Sequence, residues 1–140
     1  MARFLVVDDD HATVSALTQL LSGDGHEVAG FTDSAGAVDA LGRESFDAVV
    51  TDLEMPRVDG HEVVRVARRR HPRACVVVAT AKSDEDHDEL HRAGACFVAR
   101  KPLDYDAVSG AIKECHAHGG HEWCHRRAPG PEAPASPRRK

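Results

Sequence analysis

The chain predicts an α/β fold in which a parallel sheet is covered by helices on both faces. Four short apolar runs rich in β-branched residues, Phe4 to Val7, Ala48 to Val50, Cys75 to Ala79 and Phe97 to Ala99, lack polar alternation, as strands buried on both sides should. Segments of helical period lie between them, so strands and helices alternate. Just past each run stand polar residues able to do chemistry: Asp8 with Asp9, Asp52, Thr80 and Lys101. Open parallel sheets place their sites outside the carboxyl ends of the strands, so these side chains should converge.

The elements follow in order. After the Asp8-Asp9-Asp10 turn, Val14, Leu17, Leu20 and Leu21 recur at helical spacing and stop at Gly23; Glu27 to Phe31 then reads as the second strand. This is one right-handed βαβ unit. Further helices are expected at about Ser34 to Leu41, His61 to Arg70, Asp84 to Ala93 and Tyr105 to His116, with Pro72 and Gly94 as breakers. Five strands and five helices in strict alternation give a doubly wound sheet. Beyond Gly119-Gly120 the prolines at 129, 131, 134 and 137 should end the folded region, leaving a domain at 1–116 and a disordered tail at 117–140, Gly/His-rich and then Pro/Arg-rich.

At 140 residues and 41% hydrophobic content, the chain can bury one core. No apolar stretch approaches the roughly 20 residues needed to cross a bilayer, and Met1-Ala2-Arg3 runs straight into strand without a signal-peptide core. A soluble, cytoplasmic protein without membrane insertion is therefore expected. The formal charge of −5 is unevenly spread, with five basic residues against two acidic ones from Cys115 onward. An acidic body argues against direct contact with nucleic acid. The four cysteines form no C-x-x-C pair and are expected to be reduced.

Asp8, Asp9 and Asp52 brought together would repel one another unless a cation neutralised them. Carboxylate oxygens favour a hard ion, and magnesium keeps positions open for phosphate oxygens. A carboxylate beside such an ion can attack phosphorus and be held as an acyl phosphate. Lys101 would stabilise the phosphoryl charge and Thr80 would donate a hydrogen bond to it. Each residue alone means little: Asp10 is a good helix cap, and Lys101-Pro102 is simply a candidate cis peptide that would aim the ammonium inward. The ordered conjunction at strand ends carries the weight.

Phe4-Leu5-Val6-Val7-Asp8-Asp9-Asp10, the run Val49 to Gly60 with its Asp-x-x-Met-Pro-x-x-Asp-Gly pattern, Val77-Val78-Ala79-Thr80-Ala81, Ala93-Gly94-Ala95 and Lys101-Pro102 resemble the receiver domain of two-component response regulators. The resemblance covers Arg3 to about Cys115. It implies a flavodoxin-like fold with strand order 2-1-3-4-5 and phosphorylation of Asp52 from a sensor histidine kinase or phosphotransfer protein. It also implies magnesium held by Asp9, Asp52 and the Glu54 main-chain carbonyl, with Asp8 acting largely through water, and a phosphoryl group whose loss the domain itself catalyses. Thr80 would swing to the phosphoryl oxygen and alter the surface of the fourth helix, fifth strand and fifth helix, where a protein target binds; a phosphorylation-linked homodimer is open.

Three departures matter. The family's switch aromatic, three residues before the lysine, is here Val98, while Phe97 should face the other way unless a register shift brings it into the role. Glu54 and Lys82, which would flank the attacking water, could pair over the acyl phosphate or remain two solvated charges. The fourth helix is strongly acidic, which suits a basic or polar partner. In the tail, Cys115, His118, His121 and Cys124 recur every third residue and are of the kind zinc accepts, but not with finger spacing. Two rival readings are a haloacid-dehalogenase-type phosphatase with Asp8 as nucleophile, which leaves Asp52 unexplained, and a pseudo-receiver that only binds partners, which would need a missing acceptor, cation ligand or lysine. Because no output segment follows Cys115, a stand-alone switch acting by protein binding is expected.

Overall fold

The computed structural model describes residues 2–55, 60–81, 87–122 and 124. Its elements alternate as β1 (Arg3–Val7), α1 (His11–Gly23), β2 (Glu27–Phe31), α2 (Ser34–Arg43), β3 (Ala48–Asp52), α3 (Gly60–Arg70), β4 (Cys75–Thr80), α4 (His87–Ala93), β5 (Phe97–Arg100) and α5 (Tyr105–Ala117). All strand pairings are parallel, in the order β2-β1-β3-β4-β5. The doubly wound, flavodoxin-like fold expected from the alternation is the one observed.

Side-chain alternation along each strand builds two separate cores. Leu5, Val7, Val49, Val76 and Val78 face α2, α3 and α4 with Leu41, Val63 and Leu90, whereas Phe4, Val6, Val50 and Val77 face α1 and α5 with Leu17, Val108 and Ile112. Each fully buried Val or Leu contributes about 1.5–3 kcal/mol of transfer free energy. That is why β1, β3 and β4 read as unbroken apolar runs. Asp10, Asp33 and Asp104 cap α1, α2 and α5, each accepting from a backbone N–H of the first turn.

The strands run further than their apolar residues suggested. β3 includes Asp52, β4 includes Thr80, and β5 includes Arg100, because the ladder continues by backbone pairing: Asp52 lies opposite Ala79 and Thr80 opposite Arg100. The fourth helix is described from His87; the acidic residues 84–86 lie outside the described residues. The Lys101–Pro102 peptide is cis. No helix among the described residues is long and apolar enough to cross a membrane.

Two expectations are corrected at the other end of the sheet. Cys75 and Cys115 form a disulfide, not a pair of thiols, while Cys96 and Cys124 are buried without one. The chain also does not leave the body at residue 117. Gly120 N donates to Cys115 O at 2.8 Å, His121 N donates to Arg73 O at 3.2 Å, and Cys124 packs into the α1/α5 core. Gly120 has φ +96°, and a Cβ there would meet Arg73 O at 2.5 Å, so only glycine can make this return. The rest of the tail, 125–140, lies outside the described residues.

Candidate functional site: an acidic cluster at the carboxyl ends of the strands

The sheet order reverses between β1 and β3, and side chains from both sides of that switch point meet above it. Asp8 follows β1, Asp52 ends β3, Thr80 ends β4 and Lys101 follows β5. Asp8, Asp52 and Thr80 are buried at 3%, 3% and 0% exposure, whereas Asp9 is exposed. Carboxylate oxygens of Asp8, Asp9 and Asp52 lie within 4.8 Å of one another. Of the five residues expected from the sequence to converge, Asp8, Asp9, Asp52 and Lys101 are in mutual reach, and Thr80 ends the strand beside Asp52 with its hydroxyl on Glu54.

Lys101 holds the cluster together. Its Nζ lies 3.1 Å from Asp8 Oδ2 and 3.1 Å from Asp52 Oδ1. Asp8 Oδ1 accepts in turn from the Asp10 N–H at 2.9 Å, which fixes its rotamer at the start of α1. Asp52 Oδ1 is buried and, beyond the ammonium contact, has no well-directed hydrogen bond among the described residues. Burial pushes the Asp52 carboxyl above its ordinary value; Lys101 opposes this and Asp8 adds to it. Burial pulls Lys101 down, but its bonds to Asp52 and Asp8 outweigh that, and its pKa is raised. An oxygen-only donor set with a buried, under-satisfied carboxylate fits a hard divalent cation.

Gly60 keeps Asp52 in place from below. A Cβ there would lie 2.5 Å from both Asp52 O and Leu53 Cα, so α3 can begin against the end of β3 only through a glycine. Residues 56–59 of the Met-Pro motif lie outside the described residues.

One contact was not anticipated. The Thr80 hydroxyl donates to Glu54 Oε2 at 2.6 Å, and Ala81 N donates to Glu54 Oε1 at 3.4 Å. Lys82, the partner considered for Glu54, lies outside the described residues. The sequence signal was available in the shared strand ends of Asp52 and Thr80, but not in the direction the Glu54 side chain takes. On β5, Val98 packs with the core beneath α2, α3 and α4, and Phe97 with the core beneath α1 and α5. Phe97 therefore points to the opposite face, and the position before Lys101 that would carry a switch aromatic holds valine.

The response regulator receiver domain family matches residues 4–113. Response regulator protein FleR of Pseudomonas aeruginosa is 34% identical over 119 residues, which are 84% of this chain and 25% of FleR. Among solved structures, the CheY-like receiver domain protein of Methanospirillum hungatei matches with a TM-score of 0.79 at 24% identity, over 88% of this chain and 98% of that one. Response regulator protein TrrA of Thermotoga maritima, in complex with Mg(2+)-BeF, matches with a TM-score of 0.73 at 28% identity, over 81% of this chain and 98% of TrrA. The chain belongs to the response regulator receiver domain family of two-component signalling. That membership sets aside the phosphatase reading of Asp8. The chain spans only 25% of FleR's length, so FleR's other segments say nothing of this one.

Proposed function

We propose that this chain is a phosphoacceptor switch in which Asp52 receives a phosphoryl group from the phosphohistidine of a sensor kinase or phosphotransfer protein. The observation that supports this best is the buried Asp52 carboxylate held 3.1 Å from Lys101 beside Asp8 and Asp9. An Asp52 oxygen attacks phosphorus as the phosphorus–nitrogen bond breaks, and the histidine nitrogen leaves with the bonding pair. Asp9, Asp52 and the Glu54 main-chain carbonyl would hold magnesium, with Asp8 acting through water. The ion would neutralise charge on the transferring oxygens. Lys101 then moves its ammonium from the Asp52 carboxylate to a phosphoryl oxygen, and the Thr80 hydroxyl turns from Glu54 to another.

This second movement is the signal. Thr80 ends β4, so its rotation pulls the following loop and changes the face formed by α4, β5 and α5. Binding of a protein target through that face, in the cytoplasm, is the output this reading favours. A pseudo-receiver is disfavoured because it would lack an acceptor, cation ligand or lysine, whereas this chain gathers Asp52, Asp8, Asp9 and Lys101.

The test is intact mass after incubation with magnesium and acetyl phosphate. The wild type should gain one phosphoryl group, and Asp52→Ala, or the wild type with chelator, should gain none. A folded wild type that stays unmodified would sink the phosphoacceptor reading and leave the pseudo-receiver.

A further inference from the structure

At the end of the sheet opposite the carboxylates, three cysteines from three different places in the chain meet, and a fourth, Cys75, is bonded to one of them. Cys75 opens β4, Cys96 immediately precedes β5, Cys115 lies in the last turn of α5, and Cys124 lies in the returning segment. They are 0%, 6%, 0% and 5% exposed. The sulfurs of Cys96, Cys115 and Cys124 lie within 4.8 Å of one another, with Cys124 Sγ 3.1 Å from Cys115 Sγ, and Cys75 is disulfide-bonded to Cys115. His121 Nδ1 is 3.2 Å from Cys96 Sγ.

Isolated buried cysteines are ordinary small hydrophobes. These are not isolated, and the chain is shaped to gather them. Gly119 and Gly120 both take positive φ, turning the chain after α5 back on itself. Arg73 clamps the return from both sides: its Nη2 donates to Gly119 O at 3.2 Å and its carbonyl accepts from His121 N at 3.2 Å. Arg68 ties the two strand entries together, donating to Ala74 O at 3.0 Å and Gly94 O at 2.7 Å, with Nη2 3.8 Å from Cys96 Sγ.

We propose that, when the Cys75–Cys115 disulfide is reduced, Cys75, Cys96, Cys115 and Cys124 bind one zinc ion as a closed structural site, with His121 donating a hydrogen bond to the Cys96 sulfur. Zinc–sulfur bonds of about 2.3 Å in a tetrahedron put the sulfurs roughly 3.8 Å apart; the 3.1 Å Cys124–Cys115 contact and the 4.8 Å limit that encloses Cys96, Cys115 and Cys124 leave this edge within reach once Cys75 is released from Cys115. Four thiolates around a divalent ion carry excess negative charge, and the Arg68 guanidinium beside Cys96 offsets part of it. Four protein ligands leave no open position, so the site is structural. It would cross-link β4, β5, α5 and the returning segment. Cys75 and Thr80 are five residues apart on β4, a rise of about 16 Å, so this site is separate from the acidic one.

The balance is simple. A phosphine reductant takes up oxygen from water and converts the disulfide to two thiols. Zinc then replaces one proton on each thiol that is still protonated.

Full-length protein would be purified with a phosphine reductant, dialysed, and assayed for zinc by elemental mass spectrometry, then titrated with cobalt after zinc removal. The expected result is one zinc per chain and a tetrahedral cobalt–thiolate spectrum that zinc abolishes. Cys96→Ser and Cys124→Ser should lose that spectrum, His121→Ala should weaken zinc binding by about 10-fold, and Asp9→Asn should leave zinc binding unchanged. Circular dichroism distinguishes lost ligation from lost folding; if the cysteine variants do not fold, the His121→Ala shift decides. A reduced, folded wild type that retains no zinc, or gives only an octahedral cobalt spectrum, overturns the proposal. Zinc loss in Asp9→Asn with retention in Cys96→Ser does the same.

Discussion

Thr80 and Glu54 are joined by a 2.6 Å hydrogen bond, the hydroxyl donating to a carboxylate that follows the end of β3. In the proposed mechanism Thr80 must leave this carboxylate for a phosphoryl oxygen. Glu54 is therefore a competitor for the hydroxyl and a like charge beside the incoming phosphoryl group. A hydrogen bond to a charged group is worth about 1.5–3 kcal/mol. Glu54→Ala should accordingly bind beryllofluoride with magnesium about 10-fold more tightly than wild type, by calorimetry. Glu54→Gln, which keeps an acceptor but loses the charge, should fall between. Equal affinities in all three would mean that Thr80 does not change partner.

Asp52 supplies a pH test. Burial raises its folded-state pKa above the ordinary 3.8, so the native state binds the proton more tightly than the unfolded chain does. The sign is that stability is greatest below the ordinary value and falls as pH rises through the folded one. At pH 7 the ionised carboxylate therefore costs stability. In the presence of chelator, Asp52→Asn should raise the melting temperature at neutral pH. The gain should vanish near and below pH 3.8. An advantage that grew on acidification would contradict the sign.

The sheet and the acidic site were legible in the sequence because both follow from short-range pattern. Unbroken runs such as Val76 to Val78 announce strands buried on both faces, and strand ends in a parallel sheet share one edge, so Asp8, Asp52, Thr80 and Lys101 had to converge. What escaped depends on side-chain direction or long-range closure. Glu54 turning toward Thr80 is a rotamer choice. The meeting of Cys75 with Cys115, 40 residues apart, depends on how α5 lies across the sheet. The return of Cys124 depends on a contact between Gly120 and Arg73, and a glycine pair before prolines reads equally well as the end of a fold.

Lys101 carries two opposing effects that its substitution separates. The ammonium sits 3.1 Å from both Asp8 and Asp52, where it screens their repulsion and occupies space a cation would claim. Removing one partner of a buried pair costs about 3–5 kcal/mol, and the partial exposure of Lys101 puts its loss at or below the lower end. Lys101→Ala should therefore unfold at lower denaturant without magnesium. It should bind magnesium more tightly than wild type, since the competing positive charge is gone. Phosphorylation by acetyl phosphate should nevertheless slow, because nothing replaces the ammonium at the phosphoryl oxygen. Weaker magnesium binding in the variant would show that Lys101 organises the carboxylates more than it competes for them.

Gly60 tests whether the acidic site depends on backbone placement as well as on its charges. The space a Cβ would need is occupied by Asp52 O and Leu53 Cα, both 2.5 Å away, and neither is the end of a flexible side chain. Gly60→Ala must push the start of α3 away from the end of β3. The helix itself would gain from alanine, by roughly 0.5–1 kcal/mol, so an effect of helix propensity would be stabilising. The steric effect has the opposite sign and acts on backbone, where relief requires moving the strand end that bears Asp52. Overpacking of this kind costs about 1–3 kcal/mol. Gly60→Ala should therefore be destabilised in chelator and phosphorylated more slowly, with its magnesium affinity lowered as well. A variant that is more stable and reacts at the wild-type rate would show that α3 can slide along the sheet without disturbing Asp52.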